Sequence, residues 1–169
     1  MLSKKMEKAI NDQINAELFS AYLYLSMSAY FAQKGLPGFA SWMHVQYQEE
    51  TFHAEKFFNH ILERGGSIEL QPIEKPVNTW KDTMHVFTET LKHEEYVTKR
   101  INDLVDLAIK EKDHASNSFL QWYVNEQVEE EDSVNDIINK LNLIGNQAGN
   151  LFMLDKEMGN RVFTPPTAV

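Results

Sequence analysis

The chain has 169 residues, of which 43% are hydrophobic and 24% charged, so it can bury a full-sized core in a single domain spanning 1–169. It contains no cysteine, which excludes disulfides, zinc ribbons, thiolate-bound iron and thiol nucleophiles. Its net charge of −9 argues against nucleic acid as a partner, because phosphate binding requires a basic face. Any metal must therefore be held by carboxylate and imidazole.

The N-terminal region has the pattern of neither a signal peptide nor a membrane span. Glu7, Asp12 and Glu17 come before the apolar stretch 21–31, which serines and tyrosines interrupt. No segment reaches the roughly 18 consecutive apolar residues that a membrane helix requires. We therefore expect no membrane association and a cytoplasmic location.

The first two predicted helices form a pair. The first begins after Ser3, a good N-cap, and runs to about residue 34, where Gly35 and Pro37 stop it. The second runs over 37–63 and ends at a pair of glycines. The turn between the two helices is only a few residues long, so they should be antiparallel.

A connection without regular structure follows at 67–78, since it contains two prolines and little hydrophobic periodicity. Asn78 or Thr79 can cap a third helix, which continues to about residue 112. A dozen extended residues span about 40 Å, which matches the length of the second helix at about 1.5 Å per residue. The connection can therefore cross the bundle, so that the second and third helices run parallel.

The C-terminal part contains a long helix and a short one. Asp113 or Ser116 begins the fourth helix, which Gly145 ends. After a hinge, a short amphipathic helix covers 150–158 and a tail covers 159–169. The chain is thus predicted to be all-α, with two antiparallel hairpins joined by one long crossover and a short fifth C-terminal helix.

Each of the four long helices carries an apolar stripe that an acidic residue interrupts near its middle. An isolated carboxylate in an apolar interior is strongly unfavourable unless a partner compensates its charge. Arg and Lys are absent from all four stripes, so internal salt bridges cannot supply that partner, whereas a divalent cation can. The interrupting acids are Glu17, Glu50, Glu94 and Glu130.

Glu50 and His53 form a Glu-x-x-His pair, whose side chains leave one helix face a turn apart and can bind one ion. This motif is known from di-iron carboxylate bundles. Alone it is weak evidence, because chance pairs on solvated helix surfaces are common. Here it lies on the buried stripe with a Glu on each of three other helices, and this oxygen and nitrogen donor set suits Fe(II), Mn(II) or Zn(II).

Each of these residues also has a less specific interpretation. Glu17 could lie at the core boundary and face solvent, although its apolar neighbours on the stripe favour a ligand. His53 alone would more often be a hydrogen-bonded core histidine, but its spacing from the preceding acid favours a ligand. Only one of Glu94 and Glu95 can point inward, so that assignment could be off by one.

Two further polar residues lie on the stripes. Tyr24 is expected to pack in the core, and its hydroxyl can also bond a site carboxylate. Gln127 could simply satisfy a buried polar group. We favour a hydrogen bond from its amide to a ligand or to a bound oxygen species over direct metal ligation.

A second acidic cluster lies on the fourth helix. Glu126, Glu129 and Glu130 share one side of that helix, and they repel each other unless an ion lies among them. A run of acids is more often a solvated helix face. Glu49, next to Glu50, could complete a third, more exposed site made only of oxygen ligands.

The sequence resembles the ferritins at these residues, in particular the bacterial non-haem branch, and the resemblance covers nearly the whole chain. It implies the ferritin-like four-helix bundle and a pair of iron ions that share Glu50. The first iron is implied to bind at Glu17, Glu50 and His53, and the second at Glu50, Glu94 and Glu130. A third iron is implied to bind at Glu49, Glu126, Glu129 and Glu130.

The resemblance also implies a ferroxidase, which oxidises Fe(II) with O2 or hydrogen peroxide and stores the product as a ferric oxyhydroxide mineral. Tyr24 and Gln127 are implied to assist the iron ligands. The expected assembly is a homo-oligomeric shell of about 24 copies with octahedral symmetry, whose four-fold channels the fifth helix lines.

No haem is expected. Bacterioferritins carry a second Glu-x-x-His on the fourth helix, where this chain has Gln127 and Glu130. They also bind haem through a Met beside the second-helix site, where this chain has Phe52.

Two alternatives come from other classes of protein. A rubrerythrin-like di-iron peroxidase would normally need an electron-transfer domain, whose cysteine-bound iron this sequence cannot provide. A metal-free helical interaction module, of the four-helix cytokine kind, would leave four buried acids unexplained. Size-exclusion chromatography separates the first alternative from a ferritin, because it predicts a small dimer rather than a large shell.

Overall fold

The computed structural model describes residues 2–145 and 148–165, and all of the regular structure in those ranges is helical. No helix there combines the length and apolar composition needed to cross a membrane. The helices are α1 (Lys4–Gln33), α2 (Pro37–Glu63), α3 (Thr83–Glu111), α4 (His114–Ile144) and α5 (Ala148–Met158). The short helix thus begins two residues earlier than predicted, and the end of the predicted tail, 166–169, lies outside the described residues.

Side-chain caps set the beginnings of α1 and α4. Ser3 accepts a hydrogen bond from the backbone N of Met6 at 3.1 Å, which confirms it as the N-cap of α1. Asp113 accepts from the backbone N of Ser116 at 3.1 Å, so the first of the two predicted alternatives begins α4.

The predicted start of α3 is wrong. The N-cap is Asp82, whose side chain accepts from the backbone N of His85 at 2.8 Å, and neither Asn78 nor Thr79 caps the helix. The preceding chain is still held against α1 at these positions. The carbonyl of Val77 accepts from Ser26, and the rings of Trp80 and Tyr30 lie 5.3 Å apart. The helix can begin only after these contacts end.

Contacts between the hairpins define the topology. Short turns join α1 to α2 and α3 to α4, so each pair is antiparallel. Arg100 bonds Gln13 near one end of the bundle, and Phe87 packs against Phe31 near the other, so α3 runs antiparallel to α1. The helices α2 and α3 are therefore parallel, which confirms the predicted single-crossover bundle.

The crossover, residues 64–82, runs along the outside of α1. Asn11 holds its beginning, because the Asn11 amide donates to the carbonyl of Ser67 and its oxygen accepts from the backbone N of Glu69. Ser26 holds the later part by donating to the carbonyl of Val77 at 2.7 Å. Side chains of α1 thus satisfy backbone groups that would otherwise lack partners in an irregular segment.

The core contains two apolar clusters at opposite ends of the bundle. One includes the packed rings of Phe31, Phe39 and Phe87, whose centres lie 5.2 to 6.1 Å apart. The other includes Phe57 and Tyr123, whose rings stack at 4.1 Å. Polar side chains fill the layer between the two clusters. The bundle ends therefore supply the apolar packing, and the middle holds the candidate site.

The short helix α5 docks at the start of α2. Its buried Asp155 accepts a hydrogen bond from the backbone N of Phe39 at 2.9 Å, in place of a cap from the residue preceding α2. A Cβ at Gly38 would lie 1.5 Å from the carbonyl oxygen of Asp155, so only glycine permits this approach. Leu154 and Met158 complete the buried face of α5.

Candidate metal centre

Four carboxylates meet in the polar layer, one from each long helix. We call them the inner carboxylate layer: Glu17, Glu50, Glu94 and Glu130. Their residues are between 0% and 3% exposed, so water does not solvate their charges. Within the described ranges, no lysine or arginine forms an ion pair with any of them. The described part of the chain thus concentrates acids where it provides no lysine or arginine to pair with them.

One part of this layer can hold a metal ion. Ligand atoms of Glu17, Glu50 and His53 all lie within 4.8 Å of one another, and His53 Nδ1 is 3.5 Å from Glu50 Oε2. Glu17 Oε2 and Glu50 Oε2 are buried and accept no hydrogen bond from the described residues. Buried acceptors without a donor are rare, and a cation among them would satisfy both.

The other part of the layer contains Glu94 and Glu130. The Tyr24 hydroxyl donates to Glu94 Oε1, and the Gln127 amide donates to Glu94 Oε2 at 3.2 Å. The Gln46 amide donates to Glu130 Oε2 at 2.8 Å. Glu95, the next residue, is exposed. Of these two adjacent acids, Glu94 is therefore the one that points inward.

Burial shifts the pKa of Glu50, Glu94, His53 and Tyr24. Loss of water, and then the neighbouring carboxylates, raise the pKa of Glu94 to about 8 and the pKa of Glu50 well above its usual range. Burial lowers the pKa of His53, so its imidazole is neutral at pH 7 and has a lone pair for a metal. Burial also raises the pKa of Tyr24, which keeps the phenol protonated as a donor.

The predicted third site is only partly assembled. We call Glu49, Glu126 and Glu129 the outer acidic cluster. Ligand atoms of Glu126, His53 and Glu130 lie within 4.8 Å of one another, and His53 Nε2 is 3.9 Å from Glu126 Oε1. Glu129 is exposed and joins neither group of ligand atoms, and Glu49 is paired with an arginine.

Burial, followed by the effects of other charges, sets the pKa of two acids of the outer acidic cluster. It raises the pKa of Glu49 and the pKa of Glu126 to about 7 in each case. The charge of Arg161 opposes this rise at both residues, whereas the neighbouring acids add to it. These two carboxyl groups are therefore only partly ionised at neutral pH.

Sequence reasoning gave no role to several residues that support the inner layer. Gln13 donates to Glu17 Oε1 at 2.8 Å, and Arg100 in turn donates to Gln13 Oε1 at 2.9 Å. Gln46, the donor to Glu130, lies on the buried stripe of α2. Gln13 lies four residues before Glu17 on the same helix, and this spacing could have identified it, whereas Gln46 bonds a carboxylate on another helix.

Aromatic residues of α4 fix the position of His53. The Tyr123 hydroxyl donates to the His53 carbonyl at 2.8 Å, which ties α4 to α2 at the level of the site. The ring of Trp122 lies edge-on to the imidazole at 5.4 Å. These contacts restrict both the backbone and the ring of the only nitrogen ligand in the group.

Comparison with known proteins gives consistent matches along the chain. A family model described as the ferritin-like domain matches residues 7–144. The bacterial non-heme ferritin of Bacteroides fragilis is 43% identical over 161 residues, which cover 95% of this chain and 100% of that protein. A probable bacterial non-heme ferritin-like protein of Haemophilus influenzae is 41% identical over 160 residues, covering 95% and 97%.

Structural comparison agrees with the sequence matches. A solved structure of an engineered closed form of the Archaeoglobus fulgidus ferritin has a TM-score of 0.96 and 53% identity, covering 97% of this chain and 100% of that chain. This agreement confirms the predicted fold class and the resemblance noted from the sequence. By its sequence and by its structure, the chain belongs to the ferritin family.

Proposed function

We propose that this protein is an iron-storage ferritin subunit that oxidises Fe(II) at a di-iron centre and stores the product as a ferric oxyhydroxide mineral. The inner carboxylate layer carries the proposal. Four buried acids from four helices, with two oxygens that lack donors, require positive charge that no described side chain supplies. Iron is the substrate in this proposal, since it enters as Fe(II) and leaves as Fe(III).

Two ferrous ions would balance the charge of the inner layer, because four carboxylates carry as many negative charges as two divalent cations carry positive charges. One ion would bind Glu17, Glu50 and His53. The second would bind Glu50, Glu94 and Glu130, so that Glu50 bridges the two ions. Since burial raises the pKa of Glu94 to about 8 and the pKa of Glu50 well above its usual range, iron binding near neutral pH would release protons.

The redox step would take one electron from each ferrous ion. Two ferrous ions, one O2 and two protons give two ferric ions and one hydrogen peroxide. With hydrogen peroxide as the oxidant, two ferrous ions, one hydrogen peroxide and two protons would instead give two ferric ions and two waters. The carboxylate-rich ligand set favours the ferric state, because hard anionic oxygens stabilise the higher charge. The chain itself holds the two ions together and limits access of water.

Amide and phenol groups would orient the ligands without neutralising them. Gln13 would hold Glu17, Gln46 would hold Glu130, and Tyr24 with Gln127 would hold Glu94. Such neutral donors fix the ligand oxygens in place and leave the negative charge available to the metal.

The outer acidic cluster would receive a third iron on the way out of the inner layer. In this proposal Glu49, Glu126 and Glu129, together with Glu130, provide the oxygen ligands. The 3.9 Å distance from His53 Nε2 to Glu126 Oε1 supports a short path between the two sites. No haem site is proposed.

We further propose that residues 1–169 form one domain and that the subunit assembles into a cytoplasmic homo-oligomeric shell of 24 copies with octahedral symmetry. Exposed apolar residues near the end of α4 and on α5 support self-association, since Leu143 is 87% exposed and Met153 is 66% exposed. Size-exclusion chromatography checks this point. Elution as a small dimer would instead favour the rubrerythrin-like alternative.

Stopped-flow oxidation of Fe(II) in air tests the ferroxidase proposal. We expect Glu50→Ala and His53→Ala to slow the fast phase at least about a hundredfold, because each removes a ligand of the first iron. Glu55→Ala is the matched control, since Glu55 is exposed on the same helix. Wild-type rates in both ligand variants, with Zn(II) titration also unchanged, would refute the di-iron centre.

A further inference from the structure

Arg161, in the segment after α5, reaches the outer acidic cluster. Its Nη2 donates to Glu49 Oε2 at 2.6 Å, and its guanidinium carbon lies 4.5 Å from the centre of the Trp42 ring. The side chains of Arg161 and Glu49 are only 25% and 20% exposed, so water screens the pair weakly. The guanidinium is thus held between an aromatic face and a carboxylate.

The chain around Arg161 is anchored on α2. Val162 is 77% exposed, whereas the ring of Phe163 packs 6.3 Å from the ring of Phe52. This alternation is that of an extended segment, in which every second side chain faces the same surface. Arg161 and Phe163 therefore both face α2, next to the outer acidic cluster.

The ion pair leaves one group without a partner. Arg161 Nη1 is buried and donates to no atom of the described residues. A purely structural arginine would normally satisfy its donors, because an unmet buried donor is unfavourable. Arg161 thus bonds Glu49 but does not use all of its own donors. A cation that binds Glu49 would have to break only this one contact and not a full set of hydrogen bonds around the guanidinium.

A cation at the outer acidic cluster would compete directly with this guanidinium. Both need Glu49, and two positive charges within a few ångströms of each other repel in a partly buried site. We propose that Arg161 is a resident counter-ion of the outer acidic cluster, which a third cation must displace from Glu49 before it can bind there. The role assigned to the cluster rests on the proposed function. As a consequence, the third ion is held more weakly than the inner pair and can be passed on.

Anaerobic calorimetry with Zn(II), which is redox-inert, tests the proposal on the full-length assembled protein. We expect wild type to show two tight sites per chain and one weaker site. Arg161→Gln should tighten the weaker site on the order of tenfold and leave the tight pair unchanged, because a charged hydrogen bond no longer opposes binding. Arg161→Lys keeps the charge and should stay close to wild type.

Two controls separate displacement from a general loss of charge. Lys156→Gln, on α5, removes the same charge from an exposed position and should leave all affinities unchanged. In a Glu49→Gln background, Arg161→Gln should have a much smaller further effect, because only the repulsion between the guanidinium and the cation remains to be removed. Crystals soaked in Zn(II) should show Arg161 away from Glu49.

The outcomes also separate this proposal from the one it rests on. An unchanged weaker site in Arg161→Gln, or an equal change in Lys156→Gln, would overturn the role of Arg161 while leaving the di-iron centre intact. Absence of the two tight sites in wild type would instead overturn the di-iron centre. If Arg161→Gln fails to fold, the Zn(II)-soaked wild-type crystals decide, since an unmoved guanidinium beside a bound third ion contradicts displacement.

Discussion

The inner carboxylate layer and the outer acidic cluster adjoin each other on α2 and α4, yet their charges are treated differently. The inner acids are fully buried and have no arginine or lysine partner in the part of the chain that the structure describes. The outer acids are more exposed, and Arg161 pairs with one of them. A layer that lacks its own counter-ion must bind protons or imported cations, whereas a cluster with a counter-ion can remain empty.

The donors at the two sites differ in the same way. The inner acids accept hydrogen bonds from neutral groups, namely Gln13, Gln46, Gln127 and Tyr24. Neutral donors orient a carboxylate and keep its charge, while a guanidinium orients it and cancels the charge. Under the proposed function, the inner layer would therefore bind cations more tightly than the outer acidic cluster.

The largest expected effect is that of Glu94 ionisation on the stability of the metal-free protein. The pKa of Glu94 in the folded protein is about 8, above the ordinary value of 4.5, because burial opposes ionisation. The folded state therefore binds more protons between these values, and this group makes stability fall as pH rises from about 4.5 to about 8. We expect Glu94→Gln to stabilise the metal-free protein by about 3 kcal/mol near pH 9 and by almost nothing near pH 5.

Thermal unfolding in the presence of a chelator, at pH 5, 7 and 9, measures this difference. Glu95→Gln is the control, since Glu95 is exposed beside Glu94 and should leave the pH profile unchanged. Adding Zn(II) near pH 9 should stabilise wild type more than Glu94→Gln. A constant difference at all three pH values would show that the carboxyl is not forced to ionise in a buried site.

A smaller effect is expected from the neutral donors. Gln127→Leu removes the amide that donates to Glu94 Oε2, so we expect one of the two tight Zn(II) sites to weaken about 10- to 100-fold. Gln121→Leu is the matched control on an exposed face of α4. Calorimetry should show the weaker outer site unchanged in both variants. Equal weakening of inner and outer sites would contradict the separation of the two regions.

Much of the fold and of the inner layer could be predicted because both follow from periodicity. The stripes at steps of three and four placed Glu17, Glu50, Glu94 and Glu130 on buried faces, and the structure buries all four. Prolines and glycines located the turns, and the length of the crossover gave the parallel pair of helices. These features depend on residues that are close together in sequence, so one sequence is enough to predict them.

The features that could not be predicted depend on contacts between residues far apart in sequence. The start of α3 was predicted too early, because Trp80 and Val77 are held by α1 and no local pattern records that contact. The ion pair of Arg161 with Glu49 joins residues in α2 and in the tail, where no periodicity applies. The roles of the site residues themselves stay predictions that the experiments above test.

The smallest effect concerns the docking that positions Arg161. Asp155 accepts from the backbone N of Phe39 and so substitutes for the cap that α2 lacks. Asp155→Ala should lower stability by about 1 kcal/mol, as loss of a helix cap usually does. Glu157→Ala, which removes an exposed acid paired with Lys140, should change stability little.

The same substitution links α5 to the outer acidic cluster. If α5 holds the tail in place, Asp155→Ala should also tighten the weaker Zn(II) site, in the direction of Arg161→Gln but by less, because the guanidinium is loosened and not removed. Glu157→Ala should leave that affinity alone. Lower stability with no change in the weaker site would mean that Trp42 and Phe52 anchor the tail without help from α5.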